Sequence, residues 1–184
     1  MLAARDSELD REAKSTAVGE RLRSLPEYGA ARTAVWYAGV GTEVATLPLI
    51  VRALAEGQRI GVPYVAGQDL GLFRLATVEE LEPAPFGLLE PPRALREDAM
   101  RQMEPAEPDL FVVPGVAFDR NGGRLGHGRG YYDRLLARAG PSARFIAVAF
   151  ECQLVETVPM SATDIYMHAI VTERAIHRRT IPRD

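Results

Sequence analysis

The sequence predicts a three-layer α/β fold: an open, mostly parallel sheet with helices on both faces, forming one domain over residues 1–184. Three observations carry this. Short apolar runs suited to buried strands alternate with stretches of helical periodicity. The runs at Thr33–Ala38 and Leu110–Val113 are apolar enough to lie inside a sheet covered on both faces. Finally, 184 residues of which 47% are hydrophobic supply one full core.

The elements follow in order. Ser7 to Leu25 reads as a helix capped by Ser7, with Val18, Leu22 and Leu25 at i, i+4, i+7, and Pro26 stops it. Thr33–Ala38 is the first strand. Thr46 then reads as an N-cap with Pro48 in the first turn, and Leu47, Ile50, Val51 and Leu54 form one apolar stripe before Gly57. Arg59–Val65 and Leu70–Ala76 are short strands. From Glu79 to Pro108 the chain is rich in proline and acids and reads as an irregular connection with a turn of helix near Ala94–Met100. Leu110–Val113 is a strand that feeds a glycine-rich loop. A helix runs from Tyr131 to Ala139, with Tyr132, Leu135, Leu136 and Ala139 inward and Gly140-Pro141 closing it. Arg144–Phe150 is the next strand and His168–Thr172 the last.

Charge and composition exclude several functions. A net charge of -3 argues against a general nucleic-acid binder. A single cysteine, Cys152, permits no internal disulfide and no zinc cluster, and reads as a core or near-core residue. No apolar run reaches the length of a membrane span and no signal-peptide core is present, so a cytoplasmic location is expected. Of 22 basic residues only Lys14 is a lysine, so cationic contacts to phosphate fall mainly to arginine.

The most informative stretch runs from Pro114 to Asp133. It holds six of the 16 glycines, interleaved with Arg120, Arg124 and Arg129. A loop so poor in side chains can bring backbone N–H groups against an anion, and a helix N-terminus beyond it favours negative charge. No Gly-Lys-Ser/Thr closes it, so it is not a Walker loop. Nor does it turn directly from strand into helix as the dinucleotide fingerprint does. It reads as a triphosphate-binding loop, with amides from Gly126 to Gly130 holding oxygens that Arg124 and Arg129 neutralise. Asp133, in the first turn of the following helix, is dipole-stabilised whatever its purpose, and is also placed to hold a Mg²⁺ that bridges phosphates. Glu43, just before the helix at Thr46, is likewise a dipole-stabilised acid. By periodicity Tyr132 faces the core and Tyr131 the ligand. His127, between glycines, is read as solvated and not as an acid or base.

Pro114-Gly-x-Ala-Phe-Asp119, followed by Gly-x-Arg-Leu-Gly-x-Gly-x-Gly-Tyr-Tyr-Asp-Arg134, resembles the signature of the 5-formyltetrahydrofolate cyclo-ligase family. The resemblance extends more weakly from Ala17 to Glu173. It implies an open fold similar to that of ribose-phosphate isomerases and coenzyme A transferases. It also implies an ATP- and Mg²⁺-dependent ligase of one-carbon metabolism that closes 5-formyltetrahydrofolate to 5,10-methenyltetrahydrofolate. The implied partners are a reduced folate and ATP, with no nucleic acid or membrane, in a monomer or small homo-oligomer.

By the same resemblance, Arg124 and Arg129 are catalytic. Nucleotide contacts fall on Arg124, Leu125, Gly126, His127, Gly128, Arg129, Gly130, Tyr131 and Tyr132. Folate contacts fall on Ala38, Glu43, His127, Gly128, Arg129, Gly130 and Tyr131, and the metal on Asp133 and Asp164. Two departures are visible. Family members begin with a helix bearing Lys-x-x-x-Arg-type residues that reach the phosphates. Aligned on Pro26-Glu27-Tyr28, this chain starts after that segment, and Lys14 lies too far along to replace it. The family's His-Asp-x-x-x-Asp becomes Thr163-Asp164-Ile-Tyr-Met-His168, which keeps only the first aspartate. These departures leave open a second reading, a catalytically impaired homologue that still binds folate or nucleotide.

Overall fold

The computed structural model describes residues 2–179, so the ends of the 1–184 domain reading lie outside the described residues. In chain order the elements are α1 (Leu2–Asp6), α2 (Arg11–Arg23), α3 (Pro26–Ala30), β1 (Thr33–Trp36), α4 (Leu47–Ala55), β2 (Arg59–Ala66) and β3 (Asp69–Leu75). Then come β4 (Glu82–Pro83), β5 (Leu89–Glu90), α5 (Arg93–Arg96), β6 (Gln102–Met103), β7 (Leu110–Val113), β8 (Ala117–Asp119) and β9 (Arg124–Leu125). The chain continues with α6 (Tyr131–Leu136), β10 (Arg144–Val148), β11 (Leu154–Val155), β12 (Ala169–Val171) and β13 (Ile176–Arg178).

Eight strands form the main sheet in the order β13-β12-β10-β7-β1-β2-β3-β6. The run from β12 to β2 is parallel, and β13, β3 and β6 join antiparallel at the edges. Strands β1 and β7 are buried at every residue because apolar layers cover both faces. The two layers read directly off the pleat. Ala34, Trp36, Leu110, Val112, Ile146 and Val148 pack with Val18 and Leu22 of α2, Tyr28 of α3 and Ile50 of α4. Their neighbours Val35, Phe111, Val113 and Ala147 pack on the other face with Leu135 and Leu136 of α6. The predicted α/β fold with a mostly parallel sheet is therefore the one observed.

Several element readings change. The first helix is broken: Ser7 does not cap it but closes α1, its hydroxyl donating to the Ala4 carbonyl. Asp10 then starts α2 from a left-handed conformation (φ 53), which a short polar side chain tolerates. Pro26 opens α3 at its first turn instead of only ending the preceding helix. On α4 the buried pair is Ile50 and Ala53, and Val51 is exposed. The glycine-rich stretch itself holds a hairpin, β8–β9, with β11 alongside. Helix α6 stops at Leu136 rather than Ala139, and β12 is not last, since β13 follows it.

Candidate functional site

The site forms where open α/β sheets bind ligands, outside the carboxyl ends of the parallel strands at the point where strand order reverses. Here the chain goes from β1 to β2 on one side, and from β7 to β10 and β12 on the other. Beyond the ends of β1, β7 and β10 lies a small crevice lined by Arg5, Tyr37, Glu43, Pro114, Gly115 and Gln153.

One wall is the loop from Tyr37 to Thr46. Thr46 sits at the N-cap position of α4 but does not cap it. Its buried hydroxyl donates to the Tyr37 carbonyl (2.6 Å) and accepts from the Gly39 amide (2.8 Å), stitching the loop shut. Ser15 of α2 accepts from the Ala45 amide (3.0 Å) and ties the loop to the helical layer. Ala38 lies in this loop, and Glu43 projects from it, accepting from the Val40 amide at 3.2 Å. Arg5 of α1, 8% exposed, comes within 3.8 Å of Glu43 Oε1 and donates to the Thr42 hydroxyl at 3.1 Å. Burial pushes Glu43 above its ordinary value, opposed by the Val40 amide, Arg5 and His127. Glu43 in turn adds to the burial that holds the Tyr37 and Tyr132 hydroxyls neutral.

The opposite wall is the glycine loop, and Asp119 anchors it. This buried carboxylate accepts from the amides of Asn121 (2.8 Å), Gly123 (3.0 Å) and Val158 (2.8 Å), fixing the β8–β9 turn to the following segment. Gly122 is required there: its φ is 88°, and an added Cβ would lie 2.3 Å from the Met167 carbonyl oxygen. Gln153 clamps the loop's entrance, donating to the Gly115 carbonyl (2.9 Å) while accepting from the Phe150 amide (2.9 Å).

Every residue from Gly126 to Gly130 is exposed or partly exposed. Among the described residues, the amides of Gly126, His127, Gly128 and Gly130 donate to no protein acceptor. Gly128 and Gly130 adopt positive φ (78° and 64°), and Gly130 leads into α6. Leu125, His127 and Arg129 are exposed along this loop. His127 is among the groups that act electrostatically on Glu43, so this loop lies near the Tyr37–Thr46 loop.

Arg124 is not on the surface. It is buried, its Nη2 donates to Asp133 Oδ2 at 2.8 Å, its guanidinium lies over the Tyr132 ring, and its Nε has no partner. Asp133 also accepts from the Ile165 amide (3.2 Å), which brings the turn carrying Asp164 to the start of α6. Asp164 accepts from the Ser161 amide (2.6 Å), and that bond, with the Ser161 side chain, lowers its pKa. Among the described residues no three acids, histidines or cysteines gather into a metal cage. Of the two acids expected to hold Mg²⁺, Asp133 already accepts through both oxygens, Oδ2 from Arg124 and Oδ1 from the Ile165 amide.

The tyrosines divide as follows. Tyr132 packs on the core as its spacing predicts. Tyr131, read from periodicity as the ligand contact, is instead turned toward the β2–β3 hairpin. Its hydroxyl donates to the Gly67 carbonyl at 3.3 Å and Arg134 covers its ring. His168 lies at the amino end of β12, away from the crevice, with Nδ1 accepting from the Phe145 amide at 3.0 Å. Cys152 packs against the core, and burial, with Glu8 beside it, pushes the thiol up to about 12, too high for a nucleophile. Lys14 pairs with Glu8.

Sequence reasoning missed Arg5, Asp119 and Gln153 as site-forming residues. Asp119 carried a readable hint, since it closes the Pro114–Asp119 part of the signature, and Gln153 carried none. Arg5 carried none.

Comparison with known proteins agrees with this geometry. The family model described as "5-formyltetrahydrofolate cyclo-ligase family" matches residues 1–173, so the match reaches past Ala17 to the first residue. The 5-formyltetrahydrofolate cyclo-ligase of Mycolicibacterium smegmatis is 33% identical over 155 residues, covering 79% of this chain and 76% of that protein. The Escherichia coli protein of the same name is 30% identical over 156 residues, covering 83% and 84%. The solution structure of Aquifex aeolicus 5,10-methenyltetrahydrofolate synthetase superposes with a TM-score of 0.82 at 33% identity, covering 100% of this chain and 91% of that one. With the signature loop, the superposition and the match over residues 1–173 in agreement, the chain belongs to the 5-formyltetrahydrofolate cyclo-ligase family.

Proposed function

We propose that this protein closes 5-formyltetrahydrofolate to 5,10-methenyltetrahydrofolate with conversion of ATP to ADP and phosphate, the formyl oxygen leaving in that phosphate, and that it uses the crevice between the Tyr37–Thr46 loop and the glycine loop. The observation that supports it most is the run of amides at Gly126, His127, Gly128 and Gly130 that donate to no protein acceptor, in a loop whose His127 acts electrostatically on Glu43.

In this reading the formyl oxygen attacks the γ-phosphorus and ADP leaves, giving an imidate-like phosphate at N5. N10 then adds to the activated carbon, and phosphate departs as the ring closes. The protein does little covalent work. It aligns the amide oxygen with the phosphorus and spreads the charge of the transferring oxygens over preorganised donors. The loop amides and Arg129 supply those donors. Arg124 acts from behind the loop, holding Asp133 in place. Glu43 accepts from the amino-pyrimidine edge of the pterin, and Ala38 of the same loop contributes to that subsite. Tyr131 reaches the ligands only through its ring, because its hydroxyl is committed to Gly67. Mg²⁺, held by Asp133 and Asp164, would neutralise phosphate charge.

The test is direct. Purified protein with ATP, magnesium and 5-formyltetrahydrofolate should develop the ultraviolet band of the methenyl product, with one phosphate released per turnover, and neither signal without ATP. Tight binding of both substrates without product would contradict this reading and favour the impaired homologue.

A further inference from the structure

The N-terminal segment enters the site at a place that the sequence does not announce. Helix α1 is five residues long and ends where Ser7 closes it, and this break turns Arg5 inward. The Arg5 side chain is 9% exposed, against 18% for Glu43. Its guanidinium meets both the carboxylate of Glu43 (3.8 Å) and the hydroxyl of Thr42 (3.1 Å), and Thr42 donates onward to Asp6 Oδ1 at 2.8 Å. Thus α1 grips the tip of the Tyr37–Thr46 loop at two successive residues.

The environment explains why such a grip matters. Glu43 is poorly hydrated, and a buried carboxylate without a cation takes up a proton. The charged groups facing it are Arg5 from α1 and His127 from the glycine loop; the Tyr37 and Tyr132 hydroxyls face it as neutral groups. Of the two, Arg5 is the buried one, and its guanidinium is a permanent cation.

We infer that Arg5 is a positioning residue for folate binding: it keeps the Glu43 carboxylate anionic and aimed into the crevice, and thereby makes α1 part of the site. The inference rests on the reading of Glu43 as a folate contact. It assigns this N-terminal cation to the folate side of the crevice, not to the phosphates.

The test combines substrate kinetics with a titration independent of activity. In Arg5→Met, the Glu43 carboxyl followed by carbon-13 NMR should titrate higher by on the order of one pH unit, since an adjacent opposite charge shifts a carboxylate by that amount or more. The KM for 5-formyltetrahydrofolate at neutral pH should rise about tenfold, the scale of one charge-assisted contact, while the KM for ATP changes less than about twofold. Arg5→Lys should restore the titration. Should Arg5→Met fail to fold, Arg5→Gln, which keeps a donor for Thr42 and loses only the charge, carries the same readings. A Glu43 titration and a folate KM that both stay put, or a loss that falls on ATP instead, overturns the inference. Glu43→Gln separates the layers. If it leaves the folate KM unchanged, the reading of Glu43 fails. If it raises that KM while the Arg5 variants do not, only the role of Arg5 fails.

Discussion

The pair of Arg124 and Asp133 should show an asymmetric cost when it is broken. Its two side chains differ in exposure, 5% for Arg124 and 19% for Asp133. They also differ in alternatives. Asp133 keeps the Ile165 amide as a second donor, whereas the Arg124 Nε already lacks a partner. Removing one member of a buried pair costs about 3–5 kcal/mol when the survivor is stranded without water. Asp133→Asn leaves the guanidinium stranded in that way, so it should cost about 3 kcal/mol. Arg124→Met leaves a carboxylate that water and the Ile165 amide can still reach, so about 1–2 kcal/mol is expected. The double variant should be less destabilised than the sum of the two, because no charge remains unpaired. Urea unfolding of the three variants, read by the fluorescence of Trp36 in the core, measures all of this. Equal costs, or a larger cost for Arg124→Met, would refute the claim that Arg124 is the desolvated partner.

Three further outcomes follow from the geometry. Arg129→Ala should lower kcat by about 10²–10³, the scale of losing one preorganised electrostatic contact, and unchanged methenyl formation would remove the loop from the chemistry. Gly122→Ala should cost about 2–3 kcal/mol in thermal or urea denaturation, because φ is 88° and the added Cβ meets the Met167 carbonyl oxygen. Gly29→Ala is the control: its Cβ would meet nothing within 4 Å, and it should be neutral or slightly stabilising. For Glu43, whose folded-state pKa lies above its unfolded value, the folded state holds the extra proton. Its contribution to stability therefore falls as pH rises from about 4 through the raised folded pKa. Glu43→Gln should thus gain in Tm on the wild type as pH rises across that window, and a Tm difference flat in pH would count against its desolvation.

The sequence made the sheet interior legible because β1 and β7 are apolar at every residue but Thr33, and all are buried, as in strands covered on both faces. The glycine loop was legible through backbone chemistry, since alternating glycines between arginines leave amides bare. What it hid was set by contacts between distant segments. Thr46 reads locally as a cap, yet its hydroxyl serves Tyr37 and Gly39, a demand visible only once the loop is closed. Tyr131 and Tyr132 obey helical spacing, but which of them reaches the crevice depends on the β2–β3 hairpin, whose Gly67 is far away in the chain. The edge strands β6 and β13 are short and partly polar, so no periodicity marks them. Arg5 stands in a charged stretch with no apolar rhythm, and only the break after Asp6 turns it inward.

What most needs testing is that the amides of Gly126, His127, Gly128 and Gly130 hold a triphosphate beside Glu43. The measurement closest to it is amide NMR of nitrogen-15-labelled protein titrated with a non-hydrolysable ATP analogue and magnesium. Downfield amide proton shifts and slowed hydrogen exchange are expected at Gly126, His127, Gly128 and Gly130, with smaller changes at Glu43 until folate is added. Saturating nucleotide binding that leaves those four amides unmoved would contradict it.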